Sequence, residues 1–130
     1  MLLVVDTSVL IDHLRADPRA LAVLRDAVEA GHEMWSVTVV RTEILAGARP
    51  NEIDRITALL AHLRWVDVTV ELADAAGELA ARYLRSHRGV DTVDYLVAAA
   101  TQSLGARLLT LNVRHFPMFP DLAPAYSATA

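Results

Sequence analysis

Four short runs of this chain, at residues 2–5, 34–37, 65–68 and 107–111, carry apolar side chains mostly on consecutive positions rather than on alternate ones. A strand with one face in water alternates apolar and polar residues. Consecutive apolar residues need cover on both faces. Between the runs lie stretches long enough for helices, with apolar residues at helical spacing. That order predicts an α/β fold, with a mainly parallel central sheet and helices on both of its faces. In such a sheet the functional crevice lies beyond the carboxyl ends of the strands.

Local signals divide the chain further. The first run passes through Asp6-Thr7-Ser8 into a helix bearing Val9, Leu10, Ile11 and Leu14. Asp17-Pro18 starts a second helix, with proline at the first helical position. This helix is expected to turn Leu21, Leu24 and Val28 inward and to stop at Gly31. Thr38 is expected to cap the next helix over 39–47, and Asn51 with Asp54 to open another over 52–63. A long helix follows over about 71–86, with Leu72, Ala75, Ala76, Leu79 and Tyr83 near one face. The last helix opens at Asp91, buries a stripe of Val93, Leu96, Val97, Ala100 and Leu104, and closes at Gly105. In the Pro- and Ala-rich tail, 118–130, an edge strand is expected near Ala125 and Tyr126.

Composition narrows the chemistry. At 130 residues without an internal repeat, residues 1–130 are expected to form one domain. The apolar share of 54% excludes disorder, and the absence of cysteine removes disulfides and thiolate metal sites. The N-terminus has no basic leader before its apolar run, and no run approaches membrane-spanning length. A soluble, cytoplasmic protein with no membrane contact is expected. The net charge is −4 and all 12 basic residues are arginine. That balance disfavours broad electrostatic adhesion to nucleic acid but leaves room for local arginine–phosphate contacts. Mechanisms that need a lysine are excluded.

Several acids sit where such a fold would use them. Asp6 directly follows the first strand, where it reads first as a helix N-cap. Glu43 falls on or near the apolar stripe of its helix, although a surface glutamate belongs on the opposite face. Asp91 and Asp94 lie in the first turn of one helix, near the positive end of its dipole, as a capping pair or as cation ligands. Asn112 follows the fourth strand as a turn residue would, and His115 reads as a surface loop histidine. A receiver domain or a haloacid-dehalogenase-like phosphatase would need a second acid close after Asp6 and a lysine. The chain has neither.

The order of these motifs resembles PIN-domain proteins, and in particular the VapC toxins of VapBC-type toxin–antitoxin pairs. The matching segments are Val5-Asp6-Thr7-Ser8-Val9-Leu10, Thr42-Glu43-Ile44-Leu45-Ala46-Gly47, Asp94-Tyr95-Leu96-Val97-Ala98-Ala99-Ala100 and Leu109-Thr110-Leu111-Asn112. The resemblance implies a three-layer α/β/α sandwich and a Mg²⁺- or Mn²⁺-dependent endoribonuclease. It also implies an RNA substrate, a VapB-like antitoxin and a homodimer or toxin–antitoxin hetero-oligomer. Asp6, Glu43 and Asp94 match the family's three acids and would be the catalytic residues. Asp6, Asp94, Glu43 and Asp91 would supply the metal ligands. Thr7 or Ser8 would hydrogen-bond around the first acid, with Asn112 as a supporting polar residue. Arg41, Arg114 or His115 would meet substrate phosphate. His115 stands where many members have a fourth acid, a place that Asp91, or less well Asp121, would fill. The alternative is a PIN-like module that binds RNA or protein with weak cleavage or none.

Overall fold

The computed structural model describes residues 1–127, and residues 128–130 lie outside the described part. Four strands run parallel in the order β3-β2-β1-β4: β1 (Leu2–Val5), β2 (Glu33–Val37), β3 (Arg64–Val66) and β4 (Arg107–Leu109). The register pairs Leu3 with Met34 and with Arg107, and Ser36 with Trp65. Leu3, Val4 and Val5 are all buried although successive side chains face opposite ways, so both faces of β1 are covered.

The helices are α1 (Thr7–Leu14), α2 (Pro18–Glu29), α3 (Thr38–Ala46), α4 (Ile53–Ala61), α5 (Val70–Tyr83) and α6 (Thr92–Leu104). The chain moves from β1 to β2 to β3 in one direction, then α5 and α6 carry it back across to β4 on the far side of β1. Right-handed crossovers put the forward and returning helices on opposite faces, which gives the three-layer sandwich. The return also aims α6 against the strands, so its first turn lies at their carboxyl rim.

Local chemistry sets most boundaries. Asp17 accepts from the Arg19 N–H at 2.9 Å and Pro18 opens α2. Thr69 accepts from the Leu72 N–H at 3.1 Å and caps α5, while Gly105, at φ +60°, ends α6 in the left-handed conformation.

Several expectations are corrected. Thr38 is the first residue of α3 rather than its cap, and its hydroxyl accepts from the Val68 N–H at 3.3 Å. The Asn51–Asp54 pair does not open α4. A 3₁₀ turn, Pro50–Glu52, precedes it, and the Glu52 carboxylate accepts from the Arg49 N–H at 2.9 Å. Helix α2 buries Ala20, Leu24 and Ala27, leaving Leu21 and Val28 at 38% and 59% exposure. Ala75 is exposed on α5. Helix α6 is no half-buried stripe: every residue from Asp94 to Thr101 is buried, because α6 packs on α5, β1, β2 and β4 together. Its run of three alanines allows that close approach on all sides. No strand forms at Ala125 and Tyr126, where a single N–H of Ala125 donates to the Thr110 carbonyl at 2.9 Å.

Candidate active site

Asp6 leaves the end of β1 as the N-cap residue of α1, but its side chain makes no capping bond. The carboxylate is buried, and its Oδ2 accepts from the Thr110 hydroxyl at 2.7 Å and from Ser8 Oγ at 3.2 Å. Ser8 Oγ in turn accepts from the Leu111 N–H at 3.1 Å, and Thr110 Oγ1 from the Asn112 N–H at 3.0 Å. The loop after β4 therefore clamps the acid that ends β1. A carboxylate taken out of water needs such donors.

Glu43, from the middle of α3, reaches the same rim by another tie. Thr7 Oγ1 donates to Glu43 Oε1 at 2.8 Å. Glu43 itself is exposed, so burial does not explain its position near the apolar stripe. Solvent and one threonine hold it.

Asp94 enters from α6. Asp91 caps this helix, accepting from the Asp94 N–H at 3.0 Å, while Asp94 Oδ2 accepts from the Asp91 N–H at 3.1 Å. His115 Nδ1 lies 3.1 Å from the same Oδ2. The capping pair and the site acid are thus one structure, since Asp94 is 7% exposed and faces the loop after β4. Burial pushes its carboxyl up to about 6, with the Asp91 charge adding to the rise and the Asp91 N–H and His115 opposing it.

A model of the PIN domain matches residues 3–120. The chain belongs to the PIN-domain family. This PIN domain is 47% identical over 122 residues to ribonuclease VapC19 of Mycobacterium tuberculosis, covering 94% of this chain and 98% of that protein. To ribonuclease VapC10 of the same organism it is 39% identical, over 97% and 94% of the two chains. Its fold is similar to VapBC2 from Rickettsia felis bound to a promoter DNA fragment, with TM-score 0.78, 17% identity and 95% and 97% of the chains covered. A toxin–antitoxin complex from Klebsiella pneumoniae gives TM-score 0.77 at 21% identity, over 95% and 98%.

PIN-domain ribonucleases generally use a divalent metal. The donor set of this PIN domain fits one in kind, offering carboxylate oxygens with supporting hydroxyls and no thiol. It is not gathered into a cage: among the described residues, no three acidic or histidine side chains stand close enough to share an ion. A hard ion that keeps several waters needs only one or two direct carboxylates, with substrate phosphate completing its shell.

The rest of the anticipated set divides. Thr7, Ser8 and His115 touch the acids directly. Asn112 contributes its backbone N–H to Thr110, and Arg114 is exposed on the same loop. Arg41 lies over the Trp65 ring at 5.2 Å from its centroid. Asp121 lines a separate cavity beside β4 with Thr101 and Phe119. Thr110 was not anticipated, although it makes the shortest bond to Asp6. Its one signal is a hydroxyl at the carboxyl end of an apolar strand.

The Asp94 shift has a stability consequence. A carboxyl whose folded pKa is raised favours the protonated fold, so its contribution is complete below about pH 4 and is lost as pH rises through about 6. In EDTA, urea unfolding is expected to show on the order of 2 kcal/mol less stability at pH 7 than at pH 4.5. Asp94→Asn should remove that difference. A difference that survives the substitution would place the titration elsewhere.

Proposed function

We propose that this PIN domain is the toxin of a VapBC-type toxin–antitoxin pair, a cytoplasmic, Mg²⁺- or Mn²⁺-dependent endoribonuclease that hydrolyses RNA phosphodiester bonds. One observation carries the reading. Acids from three separate elements are tied to one rim of the sheet, Asp6 by Thr110, Glu43 by Thr7, and Asp94 by His115. The relatives named ribonuclease support the same chemistry across almost the whole chain.

When bound, the cation offsets the repulsion between the acids and a phosphodiester and makes water a better nucleophile. Asp6 and Asp94 would be its direct ligands, with Asp91 acting through water. Glu43 is solvent-exposed and held by one hydrogen bond, which suits a group that orients water and takes its proton. Ser8 and Thr110 fix the Asp6 carboxylate, as hydrogen-bonded neighbours fix metal ligands elsewhere. Asn112 orders the loop through Thr110, and Arg114 and His115 approach the substrate.

The antitoxin part of the proposal draws on an apolar groove of about 640 Å³ between α1, α2 and α4. Leu14, Leu21, Leu24, Val28 and Leu59 line it, rimmed by Arg25 and Arg55. The exposure of Leu21 and Val28 has its natural explanation in a covering partner. Self-association would cover Val68 and Val70, which are 42% and 73% exposed. Among the described residues no helix is long and apolar enough to cross a membrane.

The deciding experiment is cleavage of a mixed RNA pool by the isolated chain in Mg²⁺, Mn²⁺ or EDTA. Cutting in either metal and none in EDTA is expected. Folded protein that cuts in no metal would overturn the nuclease reading in favour of the binding module.

A further inference from the structure

A second cavity, of about 390 Å³, opens directly beside the acids. The loop after β4 lines it with Leu111, Asn112, Val113, Arg114 and His115, and the tail lines it with Pro124 and Tyr126. His115 belongs both to this cavity and to Asp94, so the two spaces share a wall. The volume is at the low end for ligand pockets and suits one nucleotide.

Tyr126 is held more firmly than a tail residue needs to be. Its hydroxyl donates to Asp12 Oδ2 at 2.7 Å, and Arg19 lies over its ring at 5.4 Å from the centroid. Arg19 is itself fixed by Asp17 at 2.7 Å and donates to the Ser127 carbonyl at 2.8 Å. Burial, and then the bond to Asp12, hold the phenol above its ordinary range. With one face under a guanidinium and the hydroxyl anchored, the ring that lines the cavity is held in place. Arg114, which lines the same cavity, is exposed and makes no ion pair among the described residues. An aromatic wall with a free arginine is the equipment that single-stranded RNA sites use for a base and its phosphate.

We propose that this cavity is a nucleotide subsite that takes the base next to the scissile phosphodiester, with Tyr126 as its stacking platform and Arg114 on the adjoining phosphate. The proposal rests on the RNA-cleaving reading above and adds a residue that positions the substrate. The mixed lining favours RNA over an apolar peptide, which would leave Asn112 and Arg114 without partners.

The test is fluorescence anisotropy with oligoribonucleotides of about 12 nucleotides, a length within the span of single-strand sites. Each carries one abasic residue, moved along the strand, and binding is measured in Ca²⁺ to wild type, Tyr126→Leu and Tyr126→Phe. Cleavage in Mg²⁺ and Mn²⁺ is followed in parallel. Wild type is expected to lose about tenfold in affinity at one position, in line with base–aromatic stacking. Tyr126→Leu should bind the intact strand about tenfold more weakly and show no further loss at that position, while Tyr126→Phe keeps the wild-type pattern. Equal abasic costs in wild type and Tyr126→Leu at every position would overturn the subsite, as would failure to bind any strand. Cutting without this coupling overturns the subsite alone. Coupling without cutting keeps Tyr126 as a base-stacking residue for bound RNA and overturns the nuclease reading, and with it the placement beside a scissile bond.

Discussion

Asp6→Asn is expected to lower RNA cleavage by about 10²- to 10³-fold, the scale on which losing one well-placed electrostatic group acts in other active sites. The change should leave the fold intact. The amide oxygen of asparagine can still accept from Thr110 and Ser8, so the buried position keeps its hydrogen bonds. What disappears is the negative charge, and with it the attraction for a divalent ion. Thr7→Val provides a graded comparison, since it removes the 2.8 Å bond to Glu43 without touching any acid. A loss of about 10- to 100-fold fits a residue that only orients another. Cleavage rates of the two variants at saturating Mg²⁺, with unfolding curves alongside, check both. An Asp6→Asn protein that cuts at the wild-type rate would remove Asp6 from the site.

Phe116→Ala is expected to cost about 3–5 kcal/mol of stability, a large share of the roughly 5–15 kcal/mol that holds a typical domain. Phe116 is 1% exposed and belongs to the main core, with the Phe119 ring centroid 6.4 Å away. It directly follows the 3₁₀ turn Val113–His115, and its N–H donates to the Val113 carbonyl at 3.1 Å. The ring therefore anchors the loop that brings His115 to Asp94. Urea unfolding measures the loss. A cost under about 1 kcal/mol would mean that the core collapses into the vacated space far more completely than is usual.

Both predictions turn on the loop after β4, which shows where local pattern stops being informative. Asp6, Glu43 and Asp94 were legible as candidates because acids beside apolar runs violate ordinary burial, and because strand ends are where α/β folds place chemistry. Glu43 lies near the apolar stripe without being buried: it is exposed and held by Thr7. Asn112 was expected to support the site; its backbone N–H bonds Thr110 Oγ1, and the Thr110 side chain makes the contact with Asp6.

The sequence by itself determined the order of strands and helices along the chain, the parallel sheet and the capping of α2 and α6. All of these follow from periodicity, caps and turn residues that act over a few positions. Tertiary structure alone decided that α6 is buried on every side, that Leu21 and Val28 face outward, and which hydroxyl holds which acid. The bonds that settle the site join residues 36 positions apart, Thr7 to Glu43, and 104 apart, Thr110 to Asp6. Such pairs meet only because the crossover through α5 and α6 returns the chain to the far side of β1, and no local pattern encodes that return.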